Sequence, residues 1–345
     1  MSFKLLDPFR LHGLSLSSRV VVAPVIHPQA DKDEVLTPYM VDYYRRRASA
    51  GLIVTGGAWV SPEAIGCADM PGVYTEAQTS GWRAVAEAVH AAGGKVFLQL
   101  AHTGAISHPD HFGGALPFAP SALDPRARSI TPTGYQPTVT PRAMTLEDIG
   151  RTIEHYRAAA RNAKRAGFDG VEIHGAHAFL IPAFLSSATN IRTDQYGGSP
   201  ENRARFLLEL VAAVVEVWGP GRVGLKLSPA AAAGRLQPNA DTEPTYRHLL
   251  GCLNACRLAY LRVEGSKTTI EGSAAETFRN MARWSRPLYS GVLIAGGGYS
   301  LEDGEAVLQC GDADLIALGA PFAEDPDLIE RVREHGSARR MTPVD

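Results

Sequence analysis

At 345 residues the chain has room for one large barrel or two ordinary domains, and 45% hydrophobic content is ample for a core. A net charge of −2 leaves no basic stripe for nucleic acid, and no stretch reads as a signal peptide or membrane span, so the expected location is the cytoplasm. The cysteines, Cys67, Cys252, Cys256 and Cys310, are too sparse for a disulfide framework; Cys252 and Cys256 share a predicted helix face, but no second pair stands at metal spacing.

Along the chain, short β-branched runs alternate with amphipathic stretches, the pattern of parallel βα units. Strands are predicted near residues 20–25, 52–56, 95–100, 170–174, 223–227, 260–263, 292–295 and 315–318. Helices are predicted over 77–92, 146–166, 201–218 and 300–310, with Gly93 and Gly167 as stops. Eight such units predict an α/β fold, a single (β/α)8 TIM barrel covering residues 1–345 as one domain. One insertion breaks the rhythm: residues 102–144, rich in Pro, Gly and Ser, follow the third strand and are expected to cover part of a pocket mouth.

In such a barrel the reacting groups belong at the carboxyl ends of the strands, with phosphate held by the loops after strands seven and eight. Those ends read Ala295-Gly296-Gly297-Gly298-Tyr299 and Leu318-Gly319-Ala320-Pro321. Glycines let backbone N–H groups approach phosphate closely, and a helix starting near Ser300 would add its dipole, although a glycine run alone also marks an ordinary turn. The fourth strand runs into His174 and His177, two imidazoles placed to donate hydrogen bonds to one oxygen of a carbonyl or enolate. An alternative is a metal: Glu172 and His174 share a strand face by the period-two rule, and with His177 they could form a two-histidine, one-carboxylate site.

After His177 comes the run Asn-Ile-Arg-Thr-Asp-Gln-Tyr-Gly-Gly-Ser-Pro-Glu-Asn-Arg, Asn190 to Arg203. With the histidine pair, Leu5-Leu6-Asp7-Pro8, Arg19 through Pro24 and Asp325-Pro326, it resembles the Old Yellow Enzyme family of FMN-dependent ene-reductases. The resemblance implies FMN lying across the barrel mouth, with Ala23, Pro24, Gly57, Gln99, His174 and Lys226 around its ring system. Ile26 stands where relatives have a Thr or Cys that bonds the flavin, and Gly297, Gly298, Gly319 and Ala320 fall at the phosphate. It also implies NAD(P)H as co-substrate, an enone or enal whose oxygen His174 and His177 polarise, and a homodimer, common in the family. Gln99 can bond the flavin's pyrimidine edge, or be a buried amide satisfied by backbone. Lys226 takes an arginine's place and keeps a cation without the bidentate fork, or is an interior lysine paired with a carboxylate.

The departures from the family pattern concentrate around the substrate. Phe179 replaces a proton-donating tyrosine, Cys67 a pocket tyrosine, and Ala101 a tryptophan, which together predict a roomy cavity and a weakened proton step. Ala320 replaces an arginine that helps bind phosphate. Loss of the proton donor opens the alternatives of alkene isomerisation or desaturation. The losses at Ile26, Lys226 and Ala320 open a further one, a flavin-free barrel acting as a binding protein.

Overall fold

The computed structural model describes residues 3–24, 30–265 and 274–335. Eight parallel strands close in sequence order into a barrel. They are β1 Val20–Val22, β2 Leu52–Trp59, β3 Val96–Ala101, β4 Gly170–Gly175, β5 Val223–Leu227, β6 Tyr260–Glu264, β7 Leu293–Gly296 and β8 Leu315–Leu318. Around them run α1 Pro38–Arg45, α2 Glu76–Ala91, α3 Leu146–Arg165, α4 Leu180–Leu185, α5 Pro200–Trp218, α6 Thr242–Leu253, α7 Met281–Ser285, α8 Leu301–Cys310, α9 Ala320–Glu324 and α10 Leu328–His335. No helix among the described residues is long and apolar enough to cross a membrane.

Local chemistry sets the boundaries. Helix α2 opens on a capping box in which the Thr75 hydroxyl accepts from the Gln78 N–H while the Gln78 side chain accepts from Thr75 N–H, and Thr145 with Asp148 does the same for α3. Gly93 and Gly167 end these helices at φ of 81° and 90°, in the left-handed region that glycine enters without steric cost.

Strict alternation along the strands divides the apolar residues into two cores. Val20, Ile53, Leu98, Leu261 and Ile316 point outward into the layer beneath the helices. Val21, Leu52, Val54, Phe97, Tyr260, Ile294 and Leu315 point inward, where they meet Leu11, Leu14 and Leu16. Those three leucines belong to an antiparallel hairpin, Phe9–Leu11 with Leu14–Leu16, that closes the barrel at the amino-terminal ends of its strands. Two interior glycines make room for rings: a Cβ on Gly170 would sit 2.4 Å from Phe97, and one on Gly224 2.3 Å from Tyr260. The two aromatic rings pack against each other at 5.7 Å, giving the inner core its bulk.

Two local expectations, the end of β2 and the shared helix face of Cys252 and Cys256, are corrected. A bulge between Val54 and Gly57 lets β2 run on to Trp59 instead of stopping at Gly56. The insertion after β3 is ordered, with a hairpin of Arg128–Thr131 and Gly134–Pro137, a short parallel pair of Phe118–Ala119 with Arg142–Ala143, and a bridge from Ile130 to Cys67. Helix α6 ends at Leu253, so Cys256 lies beyond it and does not share a helix face with Cys252.

Candidate active site

Above the inner apolar core lies a polar layer, built from strand residues whose pairing register brings them together. Glu172 is opposite Gln99, His174 opposite Lys226, and Lys226 opposite Arg262. Arg262 grips Glu172 in a bidentate pair, Nη2 to Oε1 at 2.6 Å and Nε to Oε2 at 2.9 Å, with both side chains fully buried. Gln99 Nε2 donates to the same Glu172 Oε1 at 2.7 Å. Glu264 then bridges two cations, taking Arg262 Nη1 on Oε1 and Lys226 Nζ on Oε2, each at 2.9 Å. Burial raises the Glu264 carboxyl, but Lys226 and Arg262 overcome it and hold the group down at about 2, so it stays ionised.

The imidazoles occupy the top of this layer. His174 is buried, and its Nδ1 accepts the Ala176 N–H at 3.2 Å, which fixes the proton on Nε2 and leaves that nitrogen a donor. Burial first, then the charges of Lys226 and Arg262, hold it far below the ordinary imidazole range and therefore neutral. His177 sits at φ 59°, a left-handed backbone rare for a non-glycine residue, and its N–H donates to Ser228 Oγ at 3.1 Å. The His177 side chain is half exposed, yet partial desolvation first and then the nearby Lys226 bring it down to about 4, against the opposing pull of Glu264. The two rings meet edge to face at 5.0 Å, and Phe179 lies 4.8 Å from His174.

These groups form the floor of a cavity of about 170 Å³. Cys67, Ala101 and Phe179 also line it, together with Pro24 and Gly57 and with Arg128 and Ile130 of the inserted hairpin. Among the described residues that line it there is no carboxylate. Desolvation pushes the Cys67 thiol up, with the Asp69 charge adding to the effect, so the thiol holds its proton.

The arrangement can hold a flat heteroaromatic group with a polar edge. Gln99, Lys226 and His174 line the same cavity, and Gly57 is bare where a Cβ would come within 3.4 Å of Gln99 Oε1 and 3.2 Å of Ala101 Cβ. After β7 the chain turns through Gly297 and Gly298 at φ of 110° and 85°, conformations that glycine enters without steric cost. Ala23 N–H donates to Leu318 O at 2.9 Å, placing Ala23 beside Gly319 and the start of α9 at Ala320. The expected helix does begin at Leu301 with Ser300 as its N-cap, and Asp303 closes a capping box there, with Glu302 in the same turn. Ile26 lies outside the described residues.

The metal alternative is also corrected: both Glu172 oxygens are taken by Arg262 and Gln99, and no three His, Cys, Asp or Glu side chains among the described residues group to hold an ion. Arg262 and Glu264 went unnoticed in the sequence. Their signal was a pair of opposite charges two apart in an otherwise apolar strand, which must share a face.

A model of the NADH:flavin oxidoreductase / NADH oxidase family matches residues 4–338. The chain belongs to this family. The 12-oxophytodienoate reductase 7 of Oryza sativa subsp. japonica is 39% identical, over 95% of this chain and 87% of that protein. A probable flavin mononucleotide-dependent alkene reductase of Leishmania infantum is 37% identical, over 95% and 89%. Among solved structures, a morphinone reductase variant in complex with tetrahydroNAD superposes with a TM-score of 0.90 at 43% identity, covering 96% of this chain and 91% of that one. The Old Yellow Enzyme resemblance stands as well, since the homologue from Zymomonas mobilis superposes with a TM-score of 0.91 at 33% identity, covering 97% and 93%. This NADH:flavin oxidoreductase is therefore a (β/α)8 flavoenzyme that works with FMN and NAD(P)H.

Proposed function

We propose that this flavin oxidoreductase moves hydride between NAD(P)H, FMN and the C=C bond of an α,β-unsaturated carbonyl compound, in the cytoplasm and as a homodimer. The observation that carries this reading is the His174–His177 pair on the floor of a largely apolar cavity, neutral and with the His174 proton fixed on Nε2. The reductases of 12-oxophytodienoate and morphinone and the alkene reductase among its relatives support it.

Bound FMN supplies the two-electron hydride carrier. Gln99 orients its pyrimidine edge, Lys226 places a cation beside it, and Ala23, Pro24 and Gly57 leave the flat space it needs. The glycines at 297, 298 and 319, with Ala320, receive its phosphate through backbone N–H groups. His174 Nε2–H and the His177 ring bind the substrate's carbonyl oxygen, and a donor of this kind contributes on the order of a hundredfold in rate. Being neutral, the rings polarise the oxygen without surrendering a full proton.

Phe179 packs against His174 and offers no transferable proton, so protonation of the α-carbon falls to water or to the protonated Cys67 thiol. That observation favours a second outcome at the same site, in which the hydride returns after bond rotation and the alkene is isomerised, or runs in reverse to desaturate a ketone. Small side chains at Cys67 and Ala101 suit a bulky substrate. The test is to purify the protein, look for the yellow of bound flavin, reduce it with NAD(P)H without air and add a cyclic enone. Reoxidation of the flavin with saturated or isomerised product supports the reading; a colourless protein that takes up no added FMN overturns it in favour of a binding barrel.

A further inference from the structure

We propose that Glu264 is a positioning residue that sets how strongly the site favours reduced over oxidised FMN, by clamping Lys226 and offsetting its charge. This rests on the reading that FMN lies over Lys226.

The polar layer holds two buried cations and two carboxylates, Lys226 and Arg262 against Glu172 and Glu264. The Arg262 guanidinium is fully buried and committed to carboxylates on three of its nitrogens. Lys226, in contrast, lines the cavity, and among the described residues its carboxylate contact is Glu264 Oε2 at 2.9 Å. A ligand resting on Lys226 therefore meets an ammonium paired at 2.9 Å with a carboxylate, a short dipole whose field falls off much faster than that of a lone cation.

That difference matters because the ligand's charge changes. Hydride from NAD(P)H adds two electrons and one proton to neutral oxidised flavin, leaving one negative charge on the reduced ring. An uncompensated ammonium would hold the reduced form tightly, and Glu264 weakens that preference. Its carboxylate is well placed to do so, since Arg262 Nη1 fixes the second oxygen and the side chain cannot swing away without breaking both contacts.

Glu264→Gln keeps the side-chain length and one acceptor oxygen while removing the charge. Dye-equilibrated potentiometry on the yellow holoenzyme is expected to show reduced FMN favoured at least tenfold more than in the native protein, about 30 mV upward for a two-electron couple. Lys226→Met is expected to move the potential downward, and the double variant to return near the native value. Opposite signs with compensation separate a charge effect from loosened packing, which would move both singles the same way. Should Glu264→Gln fail to retain flavin, Glu264→Asp is measured instead; it withdraws the carboxylate by one methylene and is expected to shift the potential upward by less. An unmoved or lowered potential in the variant measured overturns the proposal while leaving the enzymatic reading intact. A native protein that binds no FMN overturns both.

Discussion

Glu172→Gln tests whether the buried layer is as tightly coupled as its geometry indicates. Glu172 accepts three hydrogen bonds at 2.6, 2.7 and 2.9 Å and is fully buried. A glutamine keeps one carbonyl oxygen, but its amide N–H groups must face donors on Arg262 or Gln99, and Arg262 loses its bidentate counter-charge. Charge-assisted bonds contribute about 1.5–3 kcal/mol each, and removing one member of a buried pair costs about 3–5 kcal/mol. Glu264 still neutralises part of the Arg262 charge, so the expected loss is about 3 kcal/mol, a large fraction of the roughly 5–15 kcal/mol that holds a folded protein together. Urea unfolding of the FMN-saturated protein, followed by far-ultraviolet circular dichroism, measures it. Replacing both partners, Glu172→Met with Arg262→Met, is expected to recover much of the loss, because an apolar pair leaves no stranded charge. Glu172→Gln losing less than about 1 kcal/mol, or a double variant losing the sum of Glu172→Met and Arg262→Met measured singly, would refute the coupling.

Further expectations concern the cavity and the histidines. Phe179→Tyr is expected to raise net alkene reduction by about a hundredfold to ten-thousandfold; unchanged turnover with an accepted substrate would count against the missing-proton argument. His177 is depressed from 6.5 to about 4, so the folded protein resists protonation that the unfolded chain accepts. Its contribution to stability is therefore complete above pH 6.5 and is lost as the pH falls through about 4, and the oxygen-binding step should be flat across that window. An inflection in substrate affinity at the ordinary imidazole pKa, abolished by His177→Ala, would contradict this. Gly224→Ala drives a methyl to 2.3 Å from the Tyr260 ring and should cost about 1–3 kcal/mol, eased by Tyr260→Leu in the same chain; a harmless single substitution would show that the inner core has slack.

The barrel was legible because its evidence is local: β-branched runs bounded by turns mark parallel strands whatever their partners, and Gly93 and Gly167 end helices through their own backbone. The histidines were legible for a similar reason, since residues three apart at a strand end need no knowledge of the neighbouring strands. What escaped was whatever depends on register. Arg262 meets Glu172 across 90 positions of chain, and nothing in either segment alone announces that the bulge in β2 and the closing of β3 onto β4 will bring Gln99 to the same carboxylate. A carboxylate partner for Lys226 was one of the two readings open in the sequence, but which carboxylate was hidden, because Glu264 belongs to the next strand. The order within the insertion was hidden by its composition, as the Ile130–Cys67 bridge stabilises a segment whose proline and glycine content reads as loop.

The leucine-faced hairpin beneath the strands has a consequence for traffic. With the floor corked at that end by Leu11, Leu14 and Leu16, everything reaching the imidazoles uses a common doorway on the opposite side. Under the proposed function the nicotinamide and the alkene would take turns there, and an inert ketone lodged in the opening would obstruct both visitors.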